Sequence, residues 1–289
     1  MRHLSRLSRL SGLGGLALVL GCSPEAPDVA GEEYVERMAV EHAGDAPVAS
    51  GAPETQPAAP VRGERVTYAT IGGKPIAGYL ARPEGGTGSQ AGIVVIHEWW
   101  GLNDNIRAMA ERLAGEGYAA LAVDLYEGDV AETPERAREL AGGSAGRSAA
   151  LHENLSRAIA YLESETGAST VGTIGWCFGG GWSLNAALQN PERVDATVIY
   201  YGRLVTEPER LRTLRAPILG IFGAEDRGIP VETVRAFESA LAQLGRQAEI
   251  HIYDGADHAF ANPSGTRYNA EAAEDAWRKT LAFFQERLK

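Results

Sequence analysis

The sequence predicts an α/β fold built on a doubly wound, mostly parallel sheet. Short apolar runs such as Gly92 to Ile96 are typical of strands that are buried on both faces. Stretches with helical spacing alternate with these runs along most of the chain. A G-x-C-x-G motif, Gly175 to Gly179, follows one of the runs directly and marks a sharp turn from strand to helix.

The elements are predicted in chain order from these patterns. Arg65 to Thr70 alternates, meets a glycine turn and continues as Pro75 to Ala81, which indicates a hairpin. The further strands are predicted at Gly92–Ile96, Ala119–Leu125, Val171–Ile174, Ala196–Tyr201, Ile218–Phe222 and Glu249–Tyr253. The helices are predicted at Asn105–Gly115, Pro134–Leu140, Ser148–Ser164, from the motif to Gln189, Pro208–Leu214, Val231–Leu244 and Ala270–Leu288.

Composition limits the class of protein. The 289 residues have ordinary hydrophobic (44%) and charged (22%) contents for a globular chain. The net charge of −11 argues against nucleic acid as a partner, because a binding surface would have to neutralise phosphates.

The first residues are typical of an export signal. Three arginines precede a short apolar stretch, Leu13 to Leu20, which is too short to span a membrane. The following Gly21-Cys22-Ser23 resembles a bacterial lipobox, in which the cysteine is acylated. We therefore expect a signal peptide at 1–21, lipidation at Cys22, and an exported protein anchored by its lipid, in the outer membrane facing the periplasm.

Residues 22–61 are rich in Pro and Ala and are predicted to form a tether, which leaves 62–289 as the folded domain. Within the tether, Glu32 to His42 has mild helical spacing and could dock on the domain as a short helix.

The G-x-C-x-G motif is the nucleophile elbow of an α/β-hydrolase, with cysteine in place of serine. Its glycines remove side chains that would clash at the turn, and the helix N-terminus favours a thiolate at Cys177. The alternative for an isolated cysteine is a buried, inert side chain.

An aspartate and a histidine follow in the order of the α/β-hydrolase triad. Asp226 comes after one predicted strand, and His258 after the next. Cys177 would attack an acyl carbonyl, His258 would transfer the proton, and Asp226 would orient the imidazole. Glu225 or Asp254 could replace Asp226, and His258 could be a surface residue. Four further histidines, His3, His42, His152 and His251, are predicted to be unrelated to the site.

The backbone N–H groups of Trp99 and Phe178 are predicted to form the oxyanion hole. Phe178 follows the nucleophile, and Trp99 lies in the loop after the early central strand.

Four motifs together resemble the dienelactone hydrolases over roughly residues 62–289. They are His97-Glu98-Trp99-Trp100-Gly101-Leu102-Asn103, Gly175-Trp176-Cys177-Phe178-Gly179-Gly180, Gly223-Ala224-Glu225-Asp226 and Gly255-Ala256-Asp257-His258-Ala259-Phe260. The resemblance implies a Cys-Asp-His triad on an α/β-hydrolase core without a large lid domain. It also implies that Glu98 interacts with the cysteine and helps to generate the thiolate when substrate arrives, so that the resting thiol is neutral. The alternative for Glu98 is a carboxylate that caps backbone N–H groups.

The chain departs from that family where two arginines hold the substrate carboxylate. The matched positions here carry Asn262 and the segment Tyr126-Glu127-Gly128, which puts anionic lactones in doubt. Aromatic side chains near the motifs predict an apolar pocket. The candidate substrate-binding residues are Trp100, Trp176, Tyr126, Phe260 and Asn262.

The sequence thus predicts a monomeric hydrolase that cleaves a lactone or small carboxylic ester through a thioester intermediate. A thioesterase or general carboxylesterase, and an inactive lipid-anchored binding protein on the same fold, are the alternatives. No organic cofactor is expected, because acyl transfer requires none. No metal is expected either, since H-x-H and H-E-x-x-H spacings do not occur.

Overall fold

The computed structural model describes residues 32–45, 56–85 and 90–289. The predicted signal peptide and lipidation site lie outside these residues. One sheet of eight strands forms the centre of the domain. The strands are β1 (Val61–Ile71), β2 (Lys74–Pro83), β3 (Gly92–Ile96), β4 (Ala119–Val123), β5 (Val171–Trp176), β6 (Ala196–Tyr200), β7 (Ile218–Gly223) and β8 (Ala248–Tyr253).

The helices of the described residues alternate with these strands. They are α1 (Glu32–Glu41), α2 (Asp104–Gly115), α3 (Pro134–Ala145), α4 (Ser148–Thr166), α5 (Phe178–Gln189), α6 (Pro208–Leu211), α7 (Val231–Gln243) and α8 (Ala270–Leu288). Asn103 begins α2 and Asn269 begins α8, each accepting a hydrogen bond from a first-turn backbone N–H. None of these helices is both long and apolar enough to cross a membrane.

The strands lie in the order β1-β2-β4-β3-β5-β6-β7-β8. The hairpin of β1 and β2 joins the sheet through β2, which pairs antiparallel with β4. The six strands β4, β3, β5, β6, β7 and β8 are parallel to one another. All side chains of β3, β4, β5, β6 and β7 are buried, as expected for strands covered on both faces. The predicted α/β-hydrolase fold is confirmed.

Two groups of helices cover the sheet. α2 and α8 are joined by the Arg112 guanidinium, which lies 4.2 Å from the centre of the Trp277 ring. α3 and α5 both pack against α4. The loops that carry the candidate site follow the carboxyl ends of the parallel strands, where ligands generally bind in such sheets.

The helix α1 packs against α3 and buries Val35 and Met38 in the domain core. The mild helical spacing in the predicted tether therefore corresponds to a helix that lies on the domain.

Candidate active site

Cys177 lies at the apex of a strained turn between β5 and α5. Its backbone has φ 53° and ψ −116°, a conformation that residues other than glycine rarely adopt. The glycines on either side allow this turn: a Cβ on Gly175 would collide with the Gly179 carbonyl, and one on Gly179 with carbonyl oxygens at the end of β3. The turn is thus fixed by the backbone, and the thiol is held at the carboxyl end of the sheet.

His258 and Asp226 form a buried pair beside this turn. His258 Nδ1 lies 2.8 Å from Asp226 Oδ2, so that Nδ1 carries the proton and donates it. Asp226 Oδ1 accepts a second hydrogen bond, from the Ile229 N–H at 2.8 Å. A ring nitrogen of His258 and Cys177 Sγ lie within 4.8 Å of each other. The structure therefore brings together the three residues that the sequence predicted as a triad.

Opposing effects set the pKa values of this pair. Burial lowers the pKa of His258, but the charges of Asp226 and Cys177 raise it well above its usual value. Burial raises the pKa of Asp226, and the charge of His258 outweighs it, so that the carboxyl stays ionised. The pair thus favours an imidazolium held by a carboxylate.

Glu98 lies directly after β3 and is buried. Its Oε2 accepts a hydrogen bond of 2.7 Å from the Asn262 Nδ2, whereas Oε1 has no hydrogen-bond partner among the described residues. Burial, and next the negative charge of Cys177, raise the pKa of Glu98 to about 8. Glu98 is thus protonated at neutral pH, and Asn262, predicted to bind substrate, contacts this carboxyl group.

The two candidate oxyanion residues lie at the start of α5 and in the loop after β3. Phe178 is the first residue of α5, so its N–H is among the amides without a partner inside the helix. Trp99 is fully buried in the loop after β3. His97 fixes the start of this loop: its Nε2 accepts from the Leu125 N–H at 3.1 Å, and its Nδ1 donates to the Glu98 carbonyl at 2.5 Å.

The aromatic residues predicted to bind substrate are all buried, with different neighbours. The ring of Trp100 lies 5.0 Å from that of Trp99, and the ring of Tyr126 lies 5.5 Å from that of Phe178. Trp176 packs on Tyr200, and Phe260 packs between Tyr201 and Tyr253. Trp100 and Tyr126 thus pack against the two candidate oxyanion residues, whereas Trp176 and Phe260 pack on other aromatic side chains.

The segment 38–45 covers the nucleophile, which the sequence reasoning missed. Met38 Sδ lies 3.4 Å and His42 Nε2 lies 3.7 Å from Cys177 Sγ. The His42 ring also packs on Trp99, with 4.7 Å between ring centres. The prediction that His42 is unrelated to the site is therefore wrong, because His42 lies next to the Cys177 thiol. The helical spacing of α1 was visible in the sequence, but the side of the domain that receives it was not.

A buried carboxylate orients His42 in turn. His42 Nδ1 donates a hydrogen bond of 2.6 Å to Asp45 Oδ2, and Asp45 Oδ1 accepts one of 2.8 Å from the Thr266 hydroxyl. The Arg267 guanidinium forms ion pairs with Asp45 Oδ2 and Glu41 Oε2, each with an N···O distance of 3.1 Å, and so holds the N-terminal segment on the domain. Two His–Asp pairs, one from the domain and one from the N-terminal segment, thus face one thiol.

The electrostatics favour ionisation of this thiol. Burial raises the pKa of Cys177, but the positive charges of His258 and His42 outweigh it and lower the pKa to about 6. Burial lowers the pKa of the His42 imidazole, but the hydrogen bonds of His42 with Asp45 and Cys177 outweigh burial and raise this pKa above its usual value. With α1 docked, the thiolate is thus the favoured form, unlike the neutral resting thiol that the family resemblance implies.

The thiol has no exposed surface in this arrangement. Two surface cavities, of about 400 and 390 Å³, are lined by other residues, among them Tyr79 and Arg107 in the first and Arg82 and Gln90 in the second. Neither contains Cys177 or His258 in its lining. An ester can therefore reach the thiol only when some of the residues packed over it, such as Met38 and His42, move away.

The sheet order and the elbow define an α/β-hydrolase. The family model described as the dienelactone hydrolase family matches residues 76–288, and the chain belongs to this family of hydrolases. A candidate carboxymethylenebutenolidase of Saccharolobus solfataricus is 32% identical over 259 residues, covering 77% of this chain and 98% of the relative.

Two solved structures extend the likeness. A candidate dienelactone hydrolase of Klebsiella pneumoniae subsp. pneumoniae has 30% identity and a TM-score of 0.69, covering 78% of this chain and 99% of the other. A dienelactone hydrolase-like promiscuous phosphotriesterase from metagenomic libraries has 26% identity and a TM-score of 0.73, covering 79% and 99%. The family match begins at residue 76 and does not include the segment that carries Met38 and His42.

Proposed function

We propose that the protein hydrolyses a lactone or small carboxylic ester, with Cys177 as the nucleophile. The observation that carries this proposal is a strained elbow cysteine beside a His–Asp pair with a 2.8 Å hydrogen bond. The lowered pKa of the thiol supports it further, because the thiolate is the nucleophilic form.

The reaction would proceed in two acyl transfers. The Cys177 thiolate attacks the carbonyl carbon, and the N–H groups of Trp99 and Phe178 stabilise the oxyanion. Collapse of the tetrahedral intermediate breaks the C–O bond, and the His258 imidazolium gives its proton to the departing alkoxide. Neutral His258 then takes a proton from water, which attacks the thioester. The carboxylic acid leaves, and the thiolate is restored.

Glu98 would act on the charge of the thiol without bonding to the substrate. As a neutral, buried acid it avoids the repulsion that a carboxylate beside a thiolate would cause. Asn262 positions Glu98 through its 2.7 Å hydrogen bond and would influence the reaction through it.

Turnover would require α1 to leave the site at least transiently. Met38 and His42 occupy the space directly next to the thiol, where a substrate carbonyl must arrive. Among the side chains described at 35–41, Val35 and Met38 are the buried apolar ones, and segments held by few such side chains typically open locally. We infer that the docked helix shields the reactive thiolate between turnovers.

Neutral substrates are favoured over anionic ones in this proposal. The arginines of the family's lactone site are replaced by Asn262 and by the segment at Tyr126, and Arg267 is occupied by the carboxylates of Glu41 and Asp45. A desolvated substrate carboxylate would lack a cationic partner at these two positions of the family's site.

The test is hydrolysis of p-nitrophenyl acetate, a neutral lactone, a dienelactone, a short acyl thioester and a phosphotriester by the soluble chain starting at Ser23. Cys177→Ala and Cys177→Ser are assayed beside it. We expect ester or neutral-lactone turnover that Cys177→Ala abolishes. Turnover that persists in Cys177→Ala would refute the nucleophile, and preference for the thioester would favour a thioesterase.

A second candidate function, an inactive binding protein on the same fold, is favoured by the complete burial of the thiol. A thiol-reactive ester probe separates the two. The hydrolase must open, so labelling of Cys177 in the folded protein is expected. A folded protein that neither labels nor turns over any substrate would favour the binding protein.

A further inference from the structure

Three side chains that commonly bind metals converge between α1 and the elbow. Cys177 offers Sγ, and His42 and His258 each offer one ring nitrogen, with all three atoms within 4.8 Å of one another. All three residues are at least 99% buried. The separation between Sγ and His42 Nε2 is 3.7 Å.

The carboxylates behind the two histidines are arranged as in metal sites. Asp45 accepts from Nδ1 of His42 at 2.6 Å, and Asp226 accepts from Nδ1 of His258 at 2.8 Å. Metal-binding histidines usually donate the second ring N–H to a carboxylate, which fixes the ring and raises its basicity. The arrangement leaves Nε2 of each imidazole for a ligand.

One of these atoms lacks a partner. His258 Nε2 is buried and has no hydrogen-bond partner among the described residues. Glu98 Oε1 is in the same condition, and the thiol interacts electrostatically with this carboxyl group. Buried polar atoms without partners are rare and mark places where a water or an ion fits.

The spacing agrees with a tetrahedral ion. Zn–S and Zn–N bonds of about 2.3 and 2.0–2.1 Å place adjacent sulfur and nitrogen ligands roughly 3.6 Å apart. The observed 3.7 Å between Cys177 and His42 matches this edge, and the other two separations, which lie within 4.8 Å, would have to shorten by at most about 1.5 Å. Met38 Sδ, 3.4 Å from Cys177 Sγ, adds a soft donor at the edge of the group.

We propose that His42, Cys177 and His258 bind one borderline or soft transition-metal ion, with Zn²⁺ as the reference ion, and that this ion fastens α1 over the elbow. A thiolate and two imidazoles favour Zn²⁺ or copper over Mg²⁺ or Ca²⁺. The site does not depend on the proposed hydrolysis. The bound ion would nevertheless occupy the nucleophile and the lone pair of His258, so that metal and ester compete.

No spacing motif in the sequence indicates this site, because its ligands lie 135 and 81 residues apart along the chain. Spacing motifs detect metal ligands only where they share one helix or one loop. Here the residue that directly follows α1 supplies one ligand, and two loops at the end of the sheet supply the others.

The experiment titrates Co²⁺ and Zn²⁺ into the metal-stripped chain starting at Ser23. Near-ultraviolet absorbance reports thiolate-to-cobalt charge transfer, and Zn²⁺ competition gives the affinity. We expect one ion per chain, with no competition from Mg²⁺. His42→Ala and Cys177→Ala should weaken binding by at least about 100-fold, and Asp45→Asn by about 10- to 100-fold. His152→Ala is the matched control, because His152 lies on α4, where its half-buried ring packs on Trp182 of α5.

Limited proteolysis of α1 gives a second readout that does not depend on activity. Zn²⁺ should slow cleavage within 32–45 in the wild type and leave the His42→Ala variant unaffected. Equal binding by wild type and His42→Ala, or no cobalt–thiolate band in the folded wild type, would overturn the proposal. Metal-free protein that hydrolyses esters but binds no ion would refute the metal site alone. A chain that binds the ion but hydrolyses no substrate after the metal has been stripped would refute only the proposed function.

Discussion

Arg267 is the residue whose removal should release α1 most specifically. Its guanidinium contacts Asp45 and Glu41, and its side chain is only 15% exposed, against 2% for Asp45 and 17% for Glu41. Substitution by alanine would leave the Asp45 carboxylate buried with the hydrogen bonds of His42 and Thr266 alone. We therefore expect Arg267→Ala to destabilise the docked position of α1 while the sheet remains folded.

The magnitude follows from the burial of this ion pair. Breaking a buried pair by removing one partner costs roughly 3–5 kcal/mol, and the partial exposure of Arg267 favours the lower end. A loss of about 3 kcal/mol corresponds to an increase of roughly 100-fold in the population of the open form, because each 1.4 kcal/mol is a factor of ten. An exposed ion pair contributes at most about 1 kcal/mol.

Thiol labelling measures this population directly. The chain starting at Ser23 contains a single cysteine, Cys177, so the rate of reaction with a chromogenic disulfide reports opening over that residue. The rate should rise roughly 100-fold in Arg267→Ala and stay within about twofold in the control Arg215→Ala, whose pair with Glu192 is exposed. An unchanged rate in a variant that keeps its melting temperature would refute the argument that this contact holds α1 on the site.

Four other outcomes follow from the same structure. Asp226→Asn should lower kcat/KM by about 10³–10⁴-fold without unfolding the chain, because the imidazole loses its orienting carboxylate; an effect below tenfold would contradict that role. Gly179→Ala should lower the free energy of unfolding in urea by at least about 3 kcal/mol through collision with backbone carbonyls, whereas Gly143→Ala, with open space around it in α3, should raise it by up to about 1 kcal/mol. With EDTA present, alkylation of Cys177 should fall about tenfold per pH unit below about pH 6, since only the thiolate reacts; a midpoint above pH 8 would contradict the electrostatics at the site. Cys22→Ala should abolish incorporation of labelled fatty acid in a bacterial host, and labelling that persists would refute the proposed lipidation.

The order of elements and the elbow were predictable because their signals are local. Buried parallel strands are continuous apolar runs, and the glycines of the elbow are required within five residues of one another. The positions of Asp226 and His258 followed from the general rule that ligands bind at the carboxyl ends of parallel strands. The structure brings these two residues together at the expected end of the sheet.

The contacts of single side chains with the site were not predictable from these patterns. Asn262 was predicted to bind substrate, but it contacts Glu98, a pairing of residues 164 positions apart. Burial of the thiol and its lowered pKa likewise depend on charges that arrive from separate segments.

The sheet and the elbow follow from the amino-acid sequence alone, because they depend on residue periodicity and on backbone sterics over a few residues. The position of α1 is set only in the folded chain, and with it the contacts of Met38 and His42 with Cys177. A short amphipathic helix has the same pattern whichever apolar surface receives it. Its docking here depends on the ion pairs of the partly buried Arg267 and on the shape of the surface around the thiol, which exist only once the chain has folded.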